Sequence, residues 1–138
     1  MTKNYSAITR SVSNALATLR ADTPDVTKAF SALAHAASRD GALDRKTKEL
    51  IALALGVAAH CDACIGFHVH ALAKHGATTA EVEEALGMAV YMGGGPSLMY
   101  AADAITAWQQ CKAASGEAAA GTPRVGAMRA PAAERQSQ

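Results

Sequence analysis

Three observations predict an all-α chain. Half of the residues are hydrophobic, yet only 4% are aromatic, and the hydrophobic side is mostly Ala with Leu, Val and Met, which favours helix over strand. Apolar residues recur at steps of three and four, with no run of the period-two alternation that a half-buried strand requires. Helix start and stop residues punctuate these segments at helical lengths. At 138 residues the chain has the size of one domain, and about six helices are expected over residues 1–111.

Tyr5, Ile8, Val12, Leu16 and Leu19 form the apolar stripe of a first helix. Thr23-Pro24 offers an N-cap followed by Pro at the first helical position. Val26, Phe30, Leu33 and Ala37 then carry a second helix that Gly41 can end. Asp44 caps a third, with Arg45, Lys46, Lys48 and Glu49 as its polar start. From Leu50 to Ala59 this helix is apolar nearly all round, so it is expected to be buried. The fourth runs from about Asp62 to His75, with Gly76 as its stop. Thr78 and Glu81 are spaced as a capping box for the fifth, whose inner face is Val82, Ala85, Leu86, Ala89 and Val90. Gly93-Gly94-Gly95 breaks it. Pro96 starts the sixth, along which Leu98, Ala101, Ile105 and Trp108 repeat. From residue 112 to 138 no Leu, Ile or Phe occurs, and a disordered C-terminal tail is expected.

Charge and hydropathy exclude several function classes. A net charge of +1 gives no electrostatic case for nucleic acid or an anionic membrane. The longest apolar run, Leu50 to Ala59, is far short of the ~20 residues that cross a bilayer. Met1-Thr2-Lys3-Asn4-Tyr5 has no apolar h-region, so a cytoplasmic protein is expected. Three cysteines in a reducing compartment read as redox or metal chemistry rather than as staples.

Two of those cysteines lie in His60-Cys61-Asp62-Ala63-Cys64-Ile65-Gly66-Phe67-His68. On a helix Cys61, Cys64 and His68 stand at i, i+3 and i+7 and share one face. Unpaired N–H groups at a helix start favour a thiolate, and an imidazole one turn past Cys64 can take or return its proton. Two thiols this close can also resolve a sulfenic acid into a disulfide. Buried small hydrophobes are the bland alternative for such cysteines. Zinc held by Cys61, Cys64, His68 and His60 or His70 is another, but zinc wants converging, separated ligand pairs, and His70 points about 200° around the helix from His68. Glu49 lies on a stripe with Leu53, Gly56 and His60 that runs towards these thiols. If the third and fourth helices pair antiparallel, its carboxylate reaches His68 and orients the ring. Otherwise it belongs to a solvated first turn with Lys46 and Lys48. His35 and His75 suit helix C-termini. Cys111, at the edge of the expected tail, reads as incidental rather than catalytic, and Met88, Tyr91, Met92 and Met99 suit a core or an interface.

Glu49, the stretch His60 to His68, Gly76-Ala77-Thr78 and Gly93-Gly94-Gly95-Pro96 together resemble the carboxymuconolactone decarboxylase superfamily. Within it, the pattern E-x11-C-x2-C-x3-H resembles the alkylhydroperoxidase D (AhpD)-like core over roughly residues 25–110. The resemblance implies a helical protomer that assembles as a trimer or hexamer. It implies a redox pair of Cys61 and Cys64, with Glu49 and His68 as proton relay and Cys64 as the thiol that meets peroxide; helix-terminus logic alone favours Cys61. It further implies a small hydroperoxide substrate and an external thiol or dithiol reductant of lipoyl type, with no bound cofactor or metal. Some members carry a further histidine just before the second cysteine, where this chain has Ala63, and decarboxylases proper lack the CxxC. The expected function is therefore a thiol-dependent peroxidase or disulfide oxidoreductase. The alternative is a non-redox enzyme or an oligomeric binding protein of the same fold.

Overall fold

A computed structural model describes residues 1–116, in which six helices follow one another: α1 (Tyr5–Asp22), α2 (Pro24–Ser38), α3 (Arg45–Ala58), α4 (Asp62–Lys74), α5 (Thr79–Gly93) and α6 (Gly95–Ala114). Local chemistry explains most of the boundaries. Asn4 and Asp44 accept hydrogen bonds from Ala7 N–H and Thr47 N–H, capping α1 and α3. Thr78 and Glu81 form the expected capping box of α5. Gly76 and Gly94 adopt φ of 74° and 73°, left-handed values that glycine tolerates without penalty.

Other boundaries differ from expectation. Thr23 precedes α2 but does not cap it, because its hydroxyl donates backwards to the Leu19 carbonyl at 2.8 Å. Helix α2 stops at Ser38, ahead of Gly41. Helix α6 carries Lys112 to Ala114, so its last turn passes the boundary expected at residue 111. The remainder of the expected tail, from residue 117, lies outside the described residues.

Helix α3 packs against α4 and α5, and α6 lies across α4 and α5. Leu53, Val57, Ile65, Leu72, Val82 and Trp108 are fully buried between them. The Trp108 indole N–H donates to Thr79 Oγ1 at 2.9 Å, which satisfies the one polar atom of that side chain. Helix α1 reaches this core through α4. A Cβ at Gly66 would lie 2.5 Å from Thr9 Cγ2, so the missing side chain lets the two helices touch.

Two apolar surfaces depart from the sequence expectation. Helix α3 is not buried all round: α4 and α5 cover the face of Glu49, Leu53, Gly56 and Val57, while Leu55 on the opposite side is 64% exposed. Helix α2 buries no residue, and Val26 and Phe30 are each 69% exposed. Among the described residues α2 packs mainly on α1 and an edge of α3, and its apolar stripe is left exposed by them. Met88, Tyr91, Met92 and Met99 are also exposed rather than core. No described helix is long and apolar enough to cross a membrane.

Candidate active site

Helix α3 ends in a Schellman turn. Cys61 N–H donates to the Gly56 carbonyl and His60 N–H to the Val57 carbonyl, both at 3.0 Å. The residue at the left-handed position of this turn is His60, with φ of 54°, where a side chain costs about 1–2 kcal/mol relative to glycine. Its ring stacks on Tyr100 of α6, centroids 4.6 Å apart and planes 12° from parallel. A packed aromatic pair thus offsets part of the backbone strain.

Cys61 closes α3 and at once opens α4. It is the N-cap of α4, with extended backbone, and its Sγ accepts from Cys64 N–H at 3.2 Å. The two cysteines form a disulfide with Cα atoms 5.3 Å apart, well inside the span a disulfide can bridge. A Cβ at Gly56 would stand 3.1 Å from Cys64 Cβ, so glycine on α3 lets the first turn of α4 settle against it. When the pair is reduced, the N-terminal N–H groups of α4 and their dipole favour negative charge on sulfur.

The antiparallel pairing of α3 and α4 decides the position of Glu49. Its Oε2 lies 2.7 Å from His68 Nδ1, and the residue is only 7% exposed. The surface alternative is not what forms: Lys46 pairs with Glu81 at 2.8 Å, and Lys48 Nζ donates to the Arg39 carbonyl at 2.8 Å. A carboxylate on Nδ1 fixes the ring and leaves Nε2 as the nitrogen free to exchange a proton. His68 stands one helical turn beyond Cys64. The four residues singled out by their spacing, Glu49, Cys61, Cys64 and His68, are therefore neighbours along one α3–α4 seam.

A second layer surrounds the cysteine turn that sequence reasoning did not name. Lys3 Nζ bridges Asp62 Oδ1 at 2.8 Å and Asp103 Oδ2 at 2.6 Å, and it lies 4.9 Å from the centroid of the Tyr100 ring. Its hydrogen bonds to Asp103 and then to Asp62 raise its pKa. Burial, with the Asp103 carboxylate nearby, pushes the Tyr5 phenol up to about 12. Asp62, inside the CxxC itself, was the only available signal, since a charge within that turn calls for a counter-charge.

The remaining candidates fall elsewhere. His70 lines a cleft of about 630 Å³ between α1, α4 and α6, beside Tyr5, Phe67 and Gln110, and neither Cys61 nor Cys64 reaches it. Cys111 is half-buried against the core. Among the described residues no three His, Cys, Asp or Glu side chains converge as a metal site.

The model of the carboxymuconolactone decarboxylase family matches residues 24–107. A structure of a protein of that family from Legionella pneumophila is 56% identical, covers 78% of this chain and 96% of its own, and superposes with a TM-score of 0.77. A second, from Thermotoga maritima, is 28% identical, covers 79% and 93%, and has a TM-score of 0.71. An uncharacterized Cupriavidus necator protein is 43% identical over 82 residues, 59% of this chain and 73% of its own.

Proposed function

The chain belongs to the carboxymuconolactone decarboxylase family, and on that premise we propose that it is a thiol-dependent peroxidase or disulfide oxidoreductase acting on small alkyl hydroperoxides. The observation that carries this reading is the buried Glu49 carboxylate 2.7 Å from His68, one turn from a cysteine pair that closes as a disulfide. A packing role for the cysteines does not require an imidazole held by a buried carboxylate beside them. The Thermotoga relative carries a proposed antioxidative role, which agrees with this reading.

In the cycle, His68 accepts the Cys64 proton while Glu49 steadies the imidazolium. The Cys64 thiolate attacks the terminal oxygen of the hydroperoxide, the O–O bond breaks, and the alkoxide leaves as alcohol with the proton returned by His68. Cys64 is now a sulfenic acid. Cys61 attacks its sulfur, the disulfide forms and water leaves. An external dithiol of lipoyl type then exchanges with the disulfide, becoming oxidised itself and restoring two thiols. No bound organic cofactor or metal enters this cycle. Copies of the chain assemble as a trimer or hexamer that covers the α2 stripe, and the cytoplasm supplies the reducing conditions.

The test is peroxide consumption by the purified protein with several thiol donors. Cys64→Ser abolishes turnover, and Cys61→Ser leaves a sulfenic acid on Cys64 that a dimedone adduct reveals. Undiminished turnover by Cys64→Ser contradicts the mechanism. Thiols that stay inert to diamide and peroxide identify a non-redox member of the family instead.

A further inference from the structure

The segment before α1 is tied to α6 and to the cysteine turn. Gln110 of α6 donates to the Lys3 carbonyl at 2.7 Å and accepts from Tyr5 N–H at 3.0 Å. This pair of hydrogen bonds to Gln110 fixes the backbone on both sides of Asn4 and delivers Lys3 Nζ to Asp62, the first residue of α4 after Cys61. The titratable and charged groups around the thiols are then Asp62 and His68 on α4, Glu49 on α3 and His60 just after it, Lys3 before α1 and Tyr5 at its start, and Tyr100 and Asp103 on α6.

Within this set two carboxylates, Asp62 and Asp103, share a single ammonium. An unpaired carboxylate beside a thiol disfavours the thiolate, because like charges close together cannot both form cheaply. Lys3 and Asp62 keep about a third of their side-chain surface, so solvent weakens their pairing but leaves it in place.

We propose that Lys3 is a positioning residue of the cysteine pair: it holds the first turn of α4 against α6 and offsets Asp62, so that the reduced pair ionises near neutral pH. This rests on the reading that the pair works through a thiolate. It assigns a redox-site role to a residue outside the matched 24–107 segment.

The experiment follows iodoacetamide alkylation of the full, reduced chain against pH, with mass spectrometry reading each cysteine. Lys3→Met raises the lower of the two midpoints by about one pH unit and slows alkylation at neutral pH about fivefold, within the range that a lost counter-charge produces. Lys3→Arg restores both values. Asp62→Asn, which keeps the Lys3–Asp103 bridge, lowers the midpoint and guards against a Lys3→Met variant that does not fold. A purely structural tie lowers the melting temperature of Lys3→Met and leaves its midpoint at the wild-type value, and that result overturns the proposal. So does an Asp62→Asn midpoint that stays or rises. Because alkylation needs no peroxide, a wild-type pair that ionises but consumes no hydroperoxide contradicts the proposed function and leaves this inference standing.

Discussion

Glu49 and His68 are 19 residues apart in sequence and 2.7 Å apart in space. The seam between α3 and α4 that joins them also brings Gly56 under Cys64, so the carboxylate, the imidazole and the thiols are set by one helix pairing. If this line of groups moves the proton, Glu49→Gln and His68→Phe each slow peroxide-driven disulfide formation about 100-fold, the ordinary contribution of a positioned acid–base group. Stopped-flow measurement of a single turnover reads this directly. Rates within twofold of wild type in both variants would remove the relay.

Helix α2 presents Val26, Phe30 and Leu33 to solvent in the protomer. Apolar stripes of this kind mark contact surfaces. Light scattering is expected to give a trimer or hexamer for the wild type and the protomer mass for a Phe30→Asp, Leu33→Asp double variant. A wild type that stays monomeric at high concentration contradicts the assembly.

Gly66→Ala places a methyl 2.5 Å from Thr9 Cγ2. Thr9 is β-branched and its hydroxyl is bonded to the Tyr5 carbonyl, so it yields little. Overpacking here is expected to cost about 1–3 kcal/mol, seen as a lower urea midpoint. An unchanged midpoint shows that α1 can move off α4 freely.

Glu81 caps α5 and pairs with Lys46, and the Lys46 hydrogen bond, followed by that of Thr78 N–H, holds its carboxyl below the usual range. A carboxylate with a depressed pKa stabilises the fold above its unfolded pKa and loses that contribution as pH falls through the folded value. Wild type is therefore more stable than Glu81→Gln near neutral pH, and the gap closes as the medium is acidified below the ordinary carboxylate range. Parallel melting curves over that pH interval check it, and a gap independent of pH contradicts it.

Much of this site was legible in the sequence, and the reasons are local. Cys64 and His68 are one turn apart on any helix, and the Thr78–Glu81 box is a four-residue motif. Glu49 was only half legible: its spacing pointed both at His68 and at solvent with Lys46 and Lys48, and the choice between them is made by how α3 and α4 pack. Lys3 was invisible because its partners lie 59 and 100 residues away, and nothing in a lone lysine near a helix start announces them. His60 hides its left-handed backbone, which a glycine there would have advertised. On α2 the period of the apolar residues matches the helix that forms, but periodicity names a face and not what covers it.

In the proposed cycle Cys61 and Cys64 convert hydroperoxide into alcohol by becoming a disulfide, with Glu49 and His68 moving the proton. Its most direct test mixes the reduced chain with one equivalent of an organic hydroperoxide and no donor thiol, then measures intact mass and product together. The expected result is one equivalent of alcohol per chain and a protein lighter by two hydrogens, with the bond mapped to Cys61–Cys64. Intact peroxide beside a chain whose two thiols are still free would contradict it.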